Sequence, residues 1–455
     1  MTNIAILGFG VVGGGVADLI TRNYDEVKKL GGDDICIKHI LDLREFSDSP
    51  FADRVTKDFN KILSDGEVSV IIEAMGGSHP AYEYTVAALK AGKSVITSNK
   101  EVVANFGDEF LALAAEMGVC YRFEAAVGGG IPVISPMINC IGQNKIREVR
   151  GILNGTTNYI LTKMFSFGDS FEAALASAQE KGYAESNPDA DILGTDACRK
   201  IVILTALAIG KLYSPASVHT EGITGIRAED VLAARKMGSA IKLLGRCIID
   251  GETPKIMVAP FMLTEDLPLS NVNGVFNAVE TISEPLTNVM FYGPGAGAGP
   301  TASAMVGDLM QVMCSGRQCA HPVFVKDGGD VAAAFDSFVC RNYLAVPEGC
   351  GRSVTELFEG VQFIESEDET LVITAPINEG EMKAMLYLLA QKGIEPISRI
   401  RLLSINPSSS DRARTLSELF IITGVVSKVR ARRITSAIAA KPEQSKRLPK
   451  PTKSR

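Results

Sequence analysis

The chain has few of the features that mark zinc, membrane and secreted proteins. It has only four histidines in 455 residues, and its nine cysteines are scattered without a Cys-x-x-Cys pair. That pattern argues against a zinc site and favours reduced thiols in a cytoplasmic protein. The chain lacks any apolar run of about 18 residues or more and any basic N-terminal segment, so neither a transmembrane helix nor a secretory signal is expected. The net charge of −7 gives no reason to expect nucleic-acid binding by the core.

The N-terminus carries a pattern that predicts a dinucleotide-binding turn. Residues 4–7 form a short apolar run, as expected of a buried parallel strand, and a helical stretch begins at Gly14. Between them lies a Gly-x-Gly-x-x-Gly sequence made of Gly8, Phe9, Gly10, Val11, Val12 and Gly13. The first glycine permits the tight turn, the second lets a pyrophosphate approach the backbone, and the third packs helix against strand. The strand before this sequence and the helix after it favour a cofactor role over a mere glycine-rich turn.

Strands and helices alternate after this turn. Strands are predicted at 36–41, 68–73, 94–97 and 119–123, and helices at 14–20, 84–91 and 107–117. This alternation predicts an α/β fold with a Rossmann-type doubly wound parallel sheet, whose ligands lie at the carboxyl ends of the strands. Lys100 closely follows the strand at 94–97, so a substrate or cofactor contact is favoured over a surface lysine.

The end of the second strand bears on the choice of cofactor. Asp42 would bond the ribose diol of NAD and repel the 2′-phosphate of NADP. Arg44 lies two residues later and could instead accept that phosphate. Both side chains could equally be solvated loop residues. The sequence therefore leans towards NAD and leaves NADP open.

Asp196 and Lys200 are the most informative pair in the chain. They precede the almost wholly apolar run 201–209, which predicts a buried helix, and their i,i+4 spacing puts them on one face of it. Glu185 and Asp191 lie just upstream on a proline-containing loop. Burial beside carboxylates can tune a lysine for proton transfer, although an ordinary helical ion pair would have the same spacing.

Several segments together resemble the homoserine dehydrogenase family. They lie at 76–81, 97–100, 123–132, 153–160, 182–200 and 293–304, and include Gly-Gly-Ser-His-Pro-Ala, Thr-Ser-Asn-Lys and Leu-Asn-Gly-Thr-Thr-Asn-Tyr-Ile. Motifs of this length in this order are highly specific, and the resemblance spans roughly residues 1–325. It implies a dinucleotide-binding domain at 1–136 and an α+β substrate-binding, catalytic and dimerisation domain at 137–325. The last helix of the second domain, at about 300–318, could return to the nucleotide domain.

The resemblance also implies roles for individual residues. The catalytic lysine falls on Lys200, with Asp196 as its partner and Lys100 assisting. Substrate-binding positions fall on Asn154, Gly155, Thr156, Tyr183, Glu185 and Asp191. Cofactor-binding positions fall on the fingerprint turn and on Asp42, Arg44, Gly76, Asn99, Lys100 and Gly297. The loop for a monovalent cation, Na or K, falls on Glu124, Val127, Gly129 and Ile131, mostly through backbone carbonyls.

One departure concerns the cofactor. The family often carries an arginine before the acid at the end of the second strand, and this chain has Leu41 there. Recognition of the NADP phosphate would then have to come from Arg44 or Lys57.

A smaller module is predicted at 338–404. A β-α-β-β-α-β order can be assigned, with strands at 341–346, 369–375 and 394–403 and helices at 352–361 and 379–391. It resembles the ACT regulatory module of many homoserine dehydrogenases, but residues 347–351 replace the usual acidic-x-Pro-Gly turn. An amino-acid sensor and a module that only dimerises both remain open.

A C-terminal extension is predicted at 405–455. It contains an apolar run at 416–426, and from residue 428 onward it has ten basic side chains against one acid. This composition favours a solvated basic tail over a contact with the ribosome or another anionic surface.

The expected function is the NAD(P)-dependent interconversion of L-aspartate 4-semialdehyde and L-homoserine, in threonine and methionine biosynthesis. The resemblance implies a cytoplasmic homo-oligomer, a dimer or tetramer, that acts on a small molecule and has no nucleic-acid or membrane partner. Two alternatives are semialdehyde oxidation through a Cys198 thioester and a non-catalytic, dinucleotide-sensing regulator. Because the sequence starts at the first Rossmann strand, no fused aspartate kinase is expected.

Overall fold

The computed structural model describes residues 1–315, 319, 321–366 and 368–404. The chain divides into two compact units, Met1–Phe335 and Asp336–Arg455. The apolar run and the basic tail predicted within 405–455 lie outside the described residues. Among the helices that are described, none combines the length and apolar character that a membrane crossing needs.

The first unit begins with a parallel sheet and its helices. The strands are β1 (Thr2–Leu7), β2 (Ile35–Leu41), β3 (Val55–Thr56), β4 (Val68–Glu73), β5 (Ser94–Thr97) and β6 (Tyr121–Arg122). The helices are α1 (Val11–Arg22), α2 (Tyr24–Gly31), α3 (Phe59–Ser64), α4 (Ala81–Lys90) and α5 (Lys100–Met117). The six strands lie in the order β3-β2-β1-β4-β5-β6. In this doubly wound arrangement the order reverses between β1 and β4, and dinucleotides bind at that reversal.

Helix α5 begins seven residues earlier than the sequence predicts, at Lys100 rather than Gly107. Asn99 caps it, since its side chain accepts the N–H groups of Glu101 and Val102. Gly107 lies inside the helix, where an added Cβ would stand 3.4 Å from the ring of Phe324. The glycine therefore serves close packing and does not mark a helix start.

The remainder of the first unit is built on an antiparallel sheet. Its strands are β7 (Lys145–Ile152), β8 (Lys211–Leu212), β9 (His219–Thr220), β10 (Ser239–Ile248), β11 (Lys255–Thr264), β12 (Phe276–Glu284), β13 (Thr287–Pro294) and β14 (Val325–Lys326). Its helices are α6 (Ile134–Pro136), α7 (Gly155–Phe167), α8 (Phe171–Glu180), α9 (Asp189–Ile192), α10 (Thr195–Ile209), α11 (Ala228–Lys236), α12 (Ala298–Cys314) and α13 (Val331–Asp336). Strands pair in the order β13-β12-β7-β10-β11, with β9 parallel to β11 and β14 parallel to β8. Helices α7 and α10 pack on this sheet.

Helix α12 returns to the parallel sheet. Its buried residues share one apolar cluster with residues of α1, namely Val16, Ala17, Ile20, Ala302, Met305, Val306, Leu309 and Val312. The core of the parallel-sheet part is therefore made from two segments of chain that lie on either side of the antiparallel sheet in the sequence.

One pair of cysteines departs from the expectation that all thiols are reduced. Cys120 and Cys319 form a disulfide, with their Cα atoms 5.4 Å apart. The other seven cysteines are free. The two partners are separated by 199 residues, so no local spacing in the sequence announces the pair.

The second unit has a β-α-β-β-α-β arrangement. Its strands are β15 (Val339–Cys340), β16 (Asn342–Pro347), β17 (Gln362–Ile364), β18 (Glu369–Ile373), β19 (Ile377–Asn378) and β20 (Ser398–Leu403), and its helices are α14 (Gly351–Leu357) and α15 (Glu379–Gln391). The larger strands pair antiparallel in the order β20-β16-β18-β17, and β15 pairs with β19. Strand β17 is short and two of its three residues are exposed, which explains why no apolar pattern predicted it.

A buried ion-pair network lies in this unit. Glu379 and Arg401 are each 1% exposed. The Glu379 carboxylate accepts hydrogen bonds from Arg401 Nε at 2.7 Å and from Arg399 Nη2 at 2.6 Å. Burial by itself would raise the pKa of Glu379, but the two guanidinium groups hold it below its ordinary value.

Replacing Glu379 by Gln should destabilise the second unit by about 3–5 kcal/mol, because two guanidinium groups would be left without their buried carboxylate. The wild-type contribution is fully present above the pKa of an unfolded glutamate and is lost as the pH falls through the lower, folded value. Hydrogen–deuterium exchange of peptides from 342–403 measures the change. The control is Glu395→Gln, at an exposed position. Unchanged protection in Glu379→Gln at neutral pH would contradict the prediction.

Candidate active site

Asp196 and Lys200 lie one turn apart at the start of α10. The helix follows Gly194, whose φ of +86° favours glycine, and its apolar residues from Ile201 to Leu204 are fully buried. Lys200 Nζ lies 2.7 Å from Asp196 Oδ2 and also donates to the carbonyl of Leu153 at 2.8 Å. The buried part of the helix thus holds a carboxylate and an ammonium rigidly at its polar end.

Lys100 joins this pair from the nucleotide-binding part of the unit. Its Nζ lies 3.0 Å from Asp196 Oδ1, so the two carboxylate oxygens each face a different ammonium. The carboxyl end of β5, which leads to Lys100, and the start of α10 therefore meet at one point.

The charges shift one another in opposite directions. Burial lowers the pKa of the Lys200 ammonium, Lys100 lowers it further, and Asp196 opposes them. For Lys100 the attraction of Asp196 is the main effect, and its pKa is raised. Burial alone would raise the pKa of Asp196, but the two lysines hold it well below its ordinary value. Of the two ammoniums, Lys200 is thus the readier proton donor.

Asn154 ties a second carboxylate to the pair. Its Nδ2 donates to Asp191 Oδ1 at 2.6 Å and to Asp196 Oδ2 at 3.0 Å. Its Oδ1 caps α7 by accepting the N–H of Thr157 at 2.8 Å. Burial raises the pKa of Asp191, and the nearby charge of Asp196 adds to the rise. A polar cluster therefore lies where α7, α9 and α10 begin or end.

Some of the predicted substrate residues lie at the edge of this cluster. Thr156 Oγ1 donates to the carbonyl of Tyr183 at 2.6 Å, which holds the 181–187 loop against α7. An added Cβ at Gly155 would stand 2.7 Å from the carbonyl of Val275, so the backbone is close there. The Glu185 side chain is exposed, and within the described residues it does not join the Asp191–Asp196 cluster.

The fingerprint turn has the close backbone contacts that its glycines allow. An added Cβ at Gly13 would stand 1.9 Å from the carbonyl of Gly8, and Gly8 itself has a φ of +89°. Nothing crowds Gly10 more closely than Arg44 Nη2 at 3.8 Å. Asp42 accepts the N–H of Phe9 at 2.8 Å, which fixes the turn to the end of β2. These residues fit a dinucleotide, whose pyrophosphate would lie at the N-terminus of α1.

Arg44 pairs with the Asp42 carboxylate, whereas the sequence suggests an unpaired negative charge there. Its Nε and Nη2 bind the two oxygens of Asp42 at 3.0 and 2.8 Å. These bonds from Arg44 are the main reason that the pKa of Asp42 lies well below its ordinary value. The carboxylate is thus charged but paired, so its repulsion of a 2′-phosphate is smaller than that of a lone aspartate.

The other predicted cofactor residues lie around the carboxyl ends of β4 and β5 and at α12. Asn99 Nδ2 donates to the carbonyl of Gly77 at 2.7 Å, which places the loop of Gly76 beside the start of α5. Gly297, with a φ of +114°, precedes α12.

A second ion pair was missed in the sequence. Arg199 Nη2 lies 3.0 Å from Glu101 Oε2, and Ser78 donates to the other oxygen of Glu101 at 2.6 Å. Each of these charges is the chain neighbour of a cluster lysine, Arg199 of Lys200 and Glu101 of Lys100. That adjacency in the sequence was the signal that could have revealed the pair. The Arg199–Glu101 ion pair links α10 to α5 beside the first ion pair.

The predicted cation loop is buried and rich in carbonyl groups. Both oxygens of the Glu124 carboxylate are already bound, by the N–H groups of Val133, Ile134 and Ser135 at 2.7–2.8 Å. In the described part of the chain, no hydrogen bond reaches the carbonyl oxygens of Val127, Gly129 and Ile131. Buried carbonyls without a donor are costly, and they suit a hard cation. The loop fits such an ion through its backbone and not through the Glu124 side chain.

The thiol required by the thioester alternative has the wrong surroundings. Cys198 is 3% exposed, and burial raises its pKa. Its Sγ lies 3.5 Å from the carbonyl of Pro215, to which it can donate as a thiol. A nucleophilic cysteine needs a lowered pKa.

Family models match both parts of the first unit. The model for the homoserine dehydrogenase NAD-binding domain matches residues 8–124, and the model for homoserine dehydrogenase matches residues 132–310. The homoserine dehydrogenase of Synechocystis is 36% identical over 437 residues, covering 88% of this chain and 99% of the relative. The chain belongs to the homoserine dehydrogenase family. Its members are NAD(P)-dependent oxidoreductases acting on a CH–OH group. This supports the enzyme prediction over the alternative of a non-catalytic, dinucleotide-sensing regulator.

Solved structures show the same relationship. A homoserine dehydrogenase from Thiobacillus denitrificans superposes with a TM-score of 0.82 at 30% identity, covering 89% of this chain and 99% of that chain. A mutant of a hyperthermophilic archaeal homoserine dehydrogenase, solved in complex with NADPH, has a TM-score of 0.58 at 26% identity and covers 68% of this chain. The α/β fold and the Rossmann-type sheet predicted from the sequence are confirmed.

The pairing of Asp42 with Arg44 leads to a prediction about cofactor preference. NAD(H) should be used at least as well as NADP(H), and Arg44→Ala should raise the preference for NAD(H) by roughly tenfold in kcat/KM, or about 1.4 kcal/mol. The reason is that the variant loses a phosphate partner and leaves Asp42 unpaired. Parallel steady-state assays with both cofactors measure the ratio, with Arg22→Ala, another surface arginine paired with an aspartate, as the control. A strong NADP(H) preference in the wild type would refute the first part and point to Arg44 or Lys57 as phosphate ligands.

Proposed function

We propose that the chain interconverts L-aspartate 4-semialdehyde and L-homoserine with NAD or NADP, at the cluster of Lys200, Asp196 and Lys100. The observation that carries this proposal is the meeting of these three charges, with Asn154 and Asp191, at the carboxyl end of β5. The fingerprint turn would hold the pyrophosphate of a dinucleotide, whose nicotinamide would supply or accept the hydride. The side chains of the cluster need not form a covalent bond to the substrate.

Lys200 handles the proton. In the direction of homoserine, the aldehyde oxygen gains negative charge as the hydride arrives, and the Lys200 ammonium stabilises that charge and donates its proton to the oxygen. Asp196 keeps the ammonium in place through the 2.7 Å contact. Lys100 lowers the pKa of Lys200 and adds positive charge beside the developing oxyanion.

The substrate amino group is proposed to bind the carboxylates of Asp191 and Glu185. Asp191 has one oxygen on Asn154 and lies at the edge of the cluster, where it can accept a bond from an ammonium. Glu185, which is exposed on the 181–187 loop, is proposed as a second acceptor for the same ammonium. Asn154, Gly155, Thr156 and Tyr183 are proposed to contact the substrate as well, and Thr156 holds the carbonyl of Tyr183 in place.

A monovalent cation, Na or K, is proposed for the loop of Glu124, Val127, Gly129 and Ile131. The ligands would be the backbone carbonyls, because the Glu124 carboxylate caps the chain at Val133 to Ser135. A cation there would fix the loop that packs on the Gly295 backbone, which a Cβ at Gly129 would approach to 2.4 Å.

The chain is also proposed to act in the cytoplasm as a homo-oligomer. Strand β13 and its neighbour present an exposed apolar face, with Phe276 38%, Met290 39% and Tyr292 53% exposed. The rings of Phe276 and Tyr292 are stacked, with centroids 5.1 Å apart. Such a face on a strand at the edge of a sheet is typical of a surface that pairs with a second copy.

The role of Lys200 can be tested directly. Lys200→Ala should lower kcat by at least about a hundredfold, because the proton donor and the oxyanion partner are lost together. Binding of the cofactor, followed by the quenching of reduced-nicotinamide fluorescence, should change little. The matched control is Lys211→Ala, which removes an ion pair with Asp327 beyond the other end of α10. A near-normal kcat for Lys200→Ala would end this assignment.

The second unit is proposed to be an ACT-like module with weak sensing. Its β16–α14 connection, at residues 347–351, lacks the usual turn, so L-threonine should inhibit weakly or not at all. Truncation after Asp336 should leave kcat and KM near their full-length values, because every proposed catalytic residue precedes that point. Steady-state assays of both chains with and without threonine make the test. Potent threonine inhibition that the truncation abolishes would show instead that the module is a sensor.

A further inference from the structure

A buried carboxyl group lies at the carboxyl end of β4, outside the cluster described above. Glu73 is 0% exposed and is the last residue of a strand that lies between β1 and β5 in the sheet. Among the described residues no lysine, arginine or histidine pairs with it. Burial raises its pKa to about 7. Burying a carboxyl group costs more free energy than burying an apolar side chain unless its hydrogen bonds are satisfied.

The hydrogen bonds of Glu73 join two loops. One carboxylate oxygen accepts the N–H of Met75 at 2.7 Å, and the other is bonded by the hydroxyl of Thr97. Thr97 ends β5 and stands opposite Glu73 in the strand register. Glu73 thus holds the residues that follow β4 and, through Thr97, those that follow β5.

The link continues from Thr97 to the start of α5. Thr97 Oγ1 accepts the N–H of Asn99 at 2.9 Å. Asn99 caps α5 and its Nδ2 donates to the carbonyl of Gly77 at 2.7 Å, which closes a ring of bonds between the two loops. Lys100 is the next residue, and its Nζ reaches Asp196 at 3.0 Å.

The loop after β4 also lies against the fingerprint turn. An added Cβ at Gly8 would stand 2.9 Å from the carbonyl of Ala74. The same buried network therefore borders the cofactor turn on one side and Lys100 on the other.

We propose that Glu73 is a positioning residue for the dehydrogenase reaction, which fixes Lys100 on Asp196 through Thr97 and Asn99. The inference rests on the proposed role of Lys100 in catalysis. It assigns to Glu73 no contact with substrate or cofactor. A small displacement of a catalytic group can cost about a hundredfold in rate, so loss of the network should appear mainly in kcat.

The Thr97–Asn99 link offers the mildest test, because Thr97 has the same shape as valine and differs from it by one hydroxyl. Thr97→Val should lower kcat by about tenfold to a hundredfold, with KM for substrate and cofactor changing less than about threefold. Thr97→Ser keeps the hydroxyl and should recover most of the loss. Glu73→Leu should behave like Thr97→Val, and Glu73→Gln, which can still accept from Met75 and bond Thr97, should recover part of it. If Glu73→Leu does not fold, the Thr97 pair carries the test alone.

A double-mutant comparison separates positioning from general stability. If Thr97 acts through Lys100, adding Thr97→Val to Lys100→Ala should lower kcat little further, since the group being positioned is already gone. The inference would be overturned if the kcat losses of Thr97→Val and Lys100→Ala multiplied in the double variant. It would also be overturned if the loss of kcat in Thr97→Val came with a loss of thermal stability and Thr97→Ser recovered neither. A normal kcat in Thr97→Val beside a deficient Lys100→Ala would overturn it as well, and in that case the proposed function would stand. A normal kcat in Lys100→Ala would instead remove the proposed role of Lys100, and the inference with it.

Discussion

The carboxylate of Asp196 is the group on which the active site depends. It binds Lys200 of its own helix at 2.7 Å and Lys100 of the nucleotide-binding part at 3.0 Å. Without it, the ammonium groups of Lys200 and Lys100 would lose the carboxylate that lies between them, and their like charges would repel each other. One carboxylate therefore opposes the effect of burial on the pKa of Lys200 and also joins the start of α10 to the start of α5.

Two other buried carboxyl groups also join separate segments of the chain. Glu124 caps three N–H groups, and Glu73 bonds an amide and a hydroxyl. Neither has a cation beside it in the described residues, so each carboxyl group is held by dipoles alone. Such bonds have directions, which a pair of charges in water lacks, and they fix loops rather than merely attract them.

The sequence predicted what is local and missed what depends on distant contacts. The fingerprint turn and the Asp196–Lys200 pair are set by residues within one or two turns of each other, and both were found. The place of Lys100 after β5 and the family resemblance predict a role for it at the site, but not its contact with Asp196, because no spacing connects a residue after β5 to one on α10. Gly107 suggested a helix start because a packing glycine and a boundary glycine look alike in a sequence. Glu73 lies in a predicted strand, but no pattern in the sequence marks it, since its partner Thr97 becomes a neighbour only when β4 and β5 pair.

The return of α12 to the parallel sheet sets the order in which the molecule can be completed during synthesis. The strands β1 to β6 are made first, yet the apolar surface that α1 presents is covered only when Ala302 to Val312 arrive. At about 5–20 residues per second, roughly 10–40 s pass between the end of β6 and that helix. The strands β7 to β13 are synthesised within this interval and can pair with one another, whereas β14, the partner of β8, follows α12. The antiparallel strands can thus pair before the core of the parallel sheet is complete, and the apolar surface of α1 stays exposed on the nascent chain until α12 is made.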